Sequence, residues 1–193
     1  MLEWLKHIDQ QLFLFLNGMH STAFDEIMWL ISNKFIWIPL YLLIIYWFFK
    51  YNPENGWIWL IGIILLVIAT DQLTSSILKP GFGRLRPCHD PKISHLVHNV
   101  KRCGGLYSFV SGHSANSFAI ATFCFLLLRE NLKYIWLLFI WAAVIAYSRV
   151  YLGVHYPGDI LIGGIIGIIV AILFFRLTKK INLKRKEKKL QQV

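Results

Sequence analysis

Ile160-Leu-Ile-Gly-Gly-Ile-Ile-Gly-Ile-Ile-Val-Ala-Ile-Leu-Phe-Phe-Arg-Leu177 contains a single charged residue, and that one stands next to its end. A transmembrane helix needs about 20 mainly apolar residues, so this stretch reads as a membrane span. Gly163, Gly164 and Gly167 put a small-residue face on it, the pattern of a helix packed closely against another. Working outward, residues 24–49, 57–78 and 113–128 with its flanks read the same way, and 134–151 is slightly short but strongly apolar. Polar breaks at 50–56, 80–108, 129–133 and 153–158 separate the five. Composition agrees: 56% of the 193 residues are hydrophobic and eight are Trp.

The first 20 residues differ. Trp4, Leu5, Ile8, Leu12, Phe15 and Leu16 recur at helical spacing opposite Glu3, Lys6, Asp9 and Gln10. That pattern predicts an amphipathic helix in the membrane interface, with a short sixth span as the alternative. The N-terminus lacks a basic start followed by an apolar run and a small-residue cleavage site, so internal spans are expected to do the targeting. The expected fold is therefore an all-α integral membrane protein of about five transmembrane helices plus an N-terminal interfacial helix. Residues 1–178 form its single domain and 179–193 a basic tail.

The formal charge is +10, concentrated between Arg176 and Lys189. Such a cluster beside a span follows the positive-inside rule and touches anionic lipid, so nucleic acid is set aside as a partner. With the tail in the cytoplasm, five spans put the 80–108 and 153–158 loops outside. The outer loop then carries Arg84, Arg86, Lys92, Lys101 and Arg102, against the usual bias. A cationic cluster on that face points to anion binding.

Three short stretches meet at this face. In Lys79-Pro-Gly-Phe-Gly-Arg84-Leu-Arg86-Pro87, Gly81 and Gly83 allow a tight bend and Pro87 holds Arg86 extended. Lys79 and Arg86 suit a dianionic phosphoryl group, or alternatively snorkel to headgroups. Ser111-Gly112-His113 opens an apolar helix, where free N–H groups, a hydroxyl and a glycine can cradle an anion; a plain Ser N-cap is the alternative. In the third, Ser148-Arg149 precedes His155 and Asp159. Asp159 falls in the first turn of the last span and can fold back to one nitrogen of His155, leaving the other as a nucleophile. Asp159 could instead serve only the helix dipole. Ionisable groups at membrane depth cost about 3 kcal/mol each, and three chance clusters on one face are hard to reconcile with that figure.

Read as K-x6-R-P, S-G-H and S-R-x5-H-x3-D, the stretches from Lys79 to Asp159 resemble the signature of the type 2 phosphatidic acid phosphatase (PAP2) superfamily of membrane lipid phosphatases, relatives of the vanadium haloperoxidases. The resemblance implies that His155 attacks phosphorus to give a phosphohistidine, Asp159 orients it, and His113 protonates the leaving group. It implies too that Lys79, Arg86, Ser111, Gly112 and Arg149 hold the phosphate oxygens. Arg84 is not a motif position. Val110 stands where the family usually has Pro. Cations and backbone donors neutralise the transferring group in this mechanism, so no metal or other cofactor is called for.

The expected partners are the bilayer and a lipid phosphate or diphosphate. Small size, short N-terminal helix and long outer loop resemble the bacterial undecaprenyl diphosphate phosphatases, making undecaprenyl diphosphate the first choice of substrate. Phosphatidylglycerophosphate, phosphatidic acid and lipid A phosphates are the alternatives. A haloperoxidase and a silent lipid-phosphate-binding protein are more remote. The expected location is a bacterial plasma membrane, with the site facing the exterior.

Cys88 and Cys103 flank 14 residues of the outer loop and are expected to form a disulfide beside the site. His89, His95 and His98 nearby raise a zinc site instead, at a spacing that fits no familiar finger. Cys124 is expected to pack mid-span. Asp71 and Gln72 are membrane-depth polar groups, either functional or paired with an interfacial cation.

Overall fold

The structure, a computed structural model, describes residues 2–191. Its helices are α1 (Leu2–Gly18), α2 (Thr22–Ser32), α3 (Ile38–Tyr51), α4 (Gly56–Gln72), α5 (Lys79–Phe82), α6 (Gly112–Leu128), α7 (Leu137–Tyr151) and α8 (Pro157–Leu190). Among the described residues there is no strand, only an isolated bridge between Leu85 and Tyr107. Among the described residues, three helical stretches are long and apolar enough to cross a membrane: Lys34–Tyr51, Gly56–Phe82 and Pro157–Lys188. Helices α6 and α7 are apolar but shorter.

Two expected boundaries move. The stretch 24–49 is not one helix. Asn33 adopts an extended conformation, its Oδ1 accepts the Phe35 N–H at 3.0 Å, and a 3₁₀ turn over Lys34–Trp37 leads into α3. An Asn side chain competes with the backbone for hydrogen bonds, and Pro39 is tolerated only in a first turn. At the other end, α8 continues past 177 to Leu190. Lys, Arg, Glu and Leu are good helix formers, and no Gly or Pro follows Gly167 to stop it. Arg185 lies over the Trp57 ring at 4.6 Å, tying this basic end to the start of α4.

Helix α6 sits at the centre, packed by α4, α7 and α8. Its buried positions include Ala115, Ala119, Ala121, Phe123, Cys124 and Leu128. Small residues there let neighbouring helices approach closely. On α8 the three glycines face α6: a Cβ on Gly163 would lie 2.7 Å from the Ser111 carbonyl oxygen, and one on Gly167 would overlap the carbonyl of Ala115. The outward face of α8 carries Leu161, Ile165, Ile169 and Leu173, all exposed at four-residue spacing. Large apolar residues turned outward, with small residues where α8 meets α6, mark a helix bundle whose solvent is lipid.

Helix α1 docks through Phe13 and Asn17, its two buried residues among those described. Trp4, Leu5, Ile8, Leu12 and Phe15 are exposed, whereas Phe13 is buried edge-on against Tyr156, with ring centroids 5.4 Å apart. The Asn17 amide donates to the carbonyls of His98, Val150 and Tyr151 at 3.0, 3.2 and 2.8 Å. Asn17, outside the polar set read from the sequence, thus anchors α1 to the end of the bundle that carries the site.

Candidate active site

The α4 helix widens into a π-helical turn over Leu73–Leu78 and then runs straight into α5, which begins at Lys79. A π turn shifts the side chains that follow around the helix axis, and here Lys79 comes to line the interior cavity. Helix α5 ends on Gly83 at φ +59, a left-handed position that favours glycine. Gly81, expected to share the bend, lies within α5 instead. Past the turn the loop wraps the Arg86 guanidinium. Nη1 donates to the Cys103 carbonyl at 2.8 Å and Nε to the Tyr107 carbonyl at 3.2 Å. Cys88 and Cys103 are bonded to each other, with Cα atoms 6.2 Å apart. A metal at Cys88, His89 and Cys103 would need those sulfurs as thiolates. His98 is engaged elsewhere, on Asp25 at 2.9 Å and stacked on His20.

The starts of α6 and α8 are stitched together. Ser111 caps α6, its hydroxyl accepting the Ser114 N–H at 3.4 Å, while its own N–H donates to the Asp159 carbonyl at 3.1 Å. The Ser114 hydroxyl donates to the Ile160 carbonyl at 2.6 Å. Val110, just before the cap, is fully buried, and the Phe109–Val110 peptide is cis. These contacts bring His113, in the first turn of α6, alongside the start of α8.

Between α7 and α8 the chain folds over its own end. The N–H groups of Val154 and His155 both donate to the Arg149 carbonyl, at 3.1 and 3.2 Å, and Gly153 turns at φ +76. His155 is 1% exposed. Its Nδ1 lies 3.5 Å from Asp159 Oδ2, a close polar approach that falls short of an aligned hydrogen bond. Asp159 Oδ2 accepts the Tyr156 N–H at 2.9 Å, and Oδ1 meets Arg84 Nη1 at 3.0 Å. Burial pushes the His155 imidazole down to about 4; Asp159 opposes that shift, and Arg149 and Arg86 add to it. The ring is neutral at physiological pH, as a nitrogen nucleophile requires.

Lys79, Arg86, Gly112, His113, Arg149 and His155 line one cavity of about 940 Å³. Asp159 and Ser111 are fully buried outside that lining. The rest of the cavity is largely apolar, walled by residues such as Ile44, Phe48, Ile64, Val67 and Ile120. Asp71 also lines it and meets the Asn116 amide at 3.5 Å rather than a cation. A cluster of cations with two histidines at one end and hydrocarbon along the rest suits a phosphate on a lipid.

Sequence reasoning passed over Arg84 and Asp9. Arg84 Nη2 pairs with Asp9 Oδ2 at 2.7 Å, Nη1 pairs with Asp159, and the guanidinium lies over the Tyr156 ring at 3.8 Å. Asp9 Oδ1 also accepts the Gly158 N–H at 2.7 Å, capping α8. The available signal was an unassigned Arg inside the first motif and an Asp on the polar face of α1. Ser32 was missed as well; its hydroxyl receives a short contact from Arg149 Nη1.

Comparison with known proteins gives the family and the fold. The model of the PAP2 superfamily matches residues 60–183. A lipid A 4'-phosphatase of Bacteroides thetaiotaomicron is 39% identical over 187 residues, covering 95% of this chain and 83% of that protein. The undecaprenyl-diphosphatase BcrC of Bacillus subtilis is 26% identical, covering 89% and 84%. Two crystal structures, each 25% identical, share the fold. Aquifex aeolicus LpxE has a TM-score of 0.62, with 86% of this chain and 93% of that one covered. The PAP2-type phosphatidylglycerolphosphate phosphatase of B. subtilis has a TM-score of 0.67, with 93% and 87% covered. The chain therefore belongs to the PAP2 superfamily and is a membrane phosphatase of lipid-linked phosphates.

Proposed function

We propose that the enzyme removes a phosphate monoester from a glycolipid of the lipid A type through a phosphohistidine on His155. The observation that carries this reading is the single cavity in which Lys79, Arg86, Arg149, His113 and His155 share one end with an otherwise largely apolar lining. Relatedness supports this choice: 39% identity to a lipid A 4'-phosphatase against 26% to an undecaprenyl-diphosphatase. This reverses the order expected from size and loop length, and undecaprenyl diphosphate becomes the second reading.

Asp159, 3.5 Å from His155 Nδ1, favours the tautomer with the proton on Nδ1, which leaves the Nε2 lone pair for the attack. Nε2 forms a bond to phosphorus as the P–O bond to the lipid breaks in line, and His113 gives its proton to the departing oxygen. Lys79, Arg86 and Arg149, with the N–H groups at the start of α6, hold the three equatorial oxygens as charge redistributes over them. Water then attacks phosphorus as the Nε2–P bond breaks, His113 takes the water's proton, and inorganic phosphate leaves with His155 returned to its neutral form.

Five crossing helices, with α1 in the interface and the basic end of α8 on the cytoplasmic side, complete the reading. The site then faces the exterior, and 179–193 is the cytoplasmic tail. The exposed apolar stripe of α8 and the charge cluster after Arg176 support it.

The test is phosphate release by purified protein from bis-phosphorylated lipid A, undecaprenyl diphosphate, phosphatidylglycerophosphate and phosphatidic acid, with His155→Ala as control. Release chiefly from lipid A, lost in the variant, is expected. Preference for undecaprenyl diphosphate would reinstate the second reading.

A further inference from the structure

A second, smaller cavity of about 190 Å³ adjoins the first. Ser32 and Arg149 line both, so the Arg149 side chain stands at their boundary. The smaller one is otherwise lined by Trp29, Asn33, Lys101 and Arg102, with two apolar residues. At roughly 30 Å³ per water it has space for about six: room for a hydrated phosphate, not for a lipid chain.

Its polar groups are arranged for a ligand. Arg149 spends Nη1 on the Ser32 hydroxyl, while its Nε is buried with no hydrogen-bond partner. A buried donor on a charged group is costly to leave unmade, so the guanidinium at the boundary of the two cavities keeps unused hydrogen-bonding capacity for an anion. Lys101 is held in place by the Trp29 ring at 4.9 Å and by Glu26 at 3.0 Å. Glu26 offsets one of the three positive charges. Arg102 has no carboxylate partner among the described residues and adds a free guanidinium to the rim. None of Trp29, Ser32, Asn33, Lys101 or Arg102 belongs to the phosphate-binding set described above.

We infer that this smaller cavity is a second anion subsite, built to take a second phosphate group while the first is held beside His155. The inference rests on the phosphatase reading and deepens it, because it favours substrates that carry two phosphates. The same chemistry admits a free phosphate, with Arg149 passing the hydrolysed product from one cavity to the other.

The experiment uses the full chain in detergent micelles and Arg102→Gln, a rim substitution. Binding of inorganic phosphate is measured by calorimetry, and kinetics are measured on one lipid in its mono- and bis-phosphorylated forms. Wild type is expected to bind two phosphates per chain and Arg102→Gln one. On the bis-phosphorylated lipid the variant should raise KM about tenfold at low salt, the loss of one charge-assisted contact, with kcat and the mono-phosphorylated lipid unaffected. A KM change assigns the subsite to the substrate's second phosphate; a change in stoichiometry alone assigns it to free phosphate. One phosphate bound by both proteins, with unchanged KM on both lipids, overturns the inference. The binding measurement needs no turnover, so failure of the phosphatase reading, seen as no release from any lipid by wild type, stays distinguishable.

Discussion

Arg84 Nη1 and Asp159 Oδ1 face each other at 3.0 Å, and Asp159 is wholly buried. The other arm of the guanidinium reaches Asp9, so the carboxylate beside the proposed nucleophile is steadied through Arg84 by the N-terminal helix. A carboxylate so deep in the protein needs paired charge and hydrogen bonds. Asp159 has both, from Arg84 and from the Tyr156 N–H. Helix α1 is thereby part of the support for the site.

Replacing Arg84 by Gln leaves Asp159 without its cation. Removing one partner of a buried pair costs about 3–5 kcal/mol, and the lower end applies because Arg84 is partly exposed. We expect a lower Tm in detergent and a kcat at least tenfold down with KM little changed, since Arg84 does not line the cavity. Asp9→Asn should show the same pattern more weakly. Normal kcat in a folded Arg84→Gln protein would remove Arg84 from this role.

The close approach of α6 and α8 is tested at Gly167. A methyl group there meets the Ala115 carbonyl, and overpacking of this kind costs about 1–3 kcal/mol. Because α6 carries His113 and α8 carries Asp159, Gly167→Ala should lower both Tm and kcat. Gly105→Ala, which meets nothing within 4 Å, is the matched control and should leave both unchanged.

Reduction of the Cys88–Cys103 bond, or Cys103→Ser, frees the loop whose Cys103 carbonyl holds Arg86. Closing a loop of this length stabilises by about 3 kcal/mol in the chain-entropy model. The expected result is a lower Tm and a raised KM for lipid phosphate, with kcat less affected, read from steady-state kinetics with and without reductant.

His155 gives a pH signature. Its folded value of about 4 lies below the ordinary 6.5, so between these limits the unfolded chain binds the extra proton. Stability from this group is fully present above pH 6.5 and is lost as pH falls toward 4. Unfolding measured across that window should show wild type losing more stability than His155→Gln. Equal losses would mean that the imidazole is not buried neutral.

Much of the bundle and the polar cluster was legible because each rests on local pattern. The apolar runs reappear as helices, and Lys79, Arg86, His113, Arg149 and His155 share a cavity. What escaped depends on contacts between distant parts of the chain. Arg84 looked like a spare cation because its partners, Asp9 and Asp159, are 75 residues away on either side. The inward docking of α1 turns on Asn17 and Phe13, which periodicity alone assigned to no partner. Hydropathy carried the 24–49 stretch through Asn33, where one side-chain hydrogen bond ends a helix. Charge marked the basic stretch after 178, and helix propensity carries α8 through it to Leu190.

The central claim is that His155 carries the phosphoryl group. Its most direct test is rapid quench of the purified enzyme with lipid labelled at the phosphate, followed by peptide mapping. The account predicts a transient acid-labile, alkali-stable label on the peptide containing His155, absent from His155→Ala, whose turnover is lost while it remains folded. A folded His155→Ala protein that keeps substantial phosphate release, or a label mapping elsewhere, would contradict it.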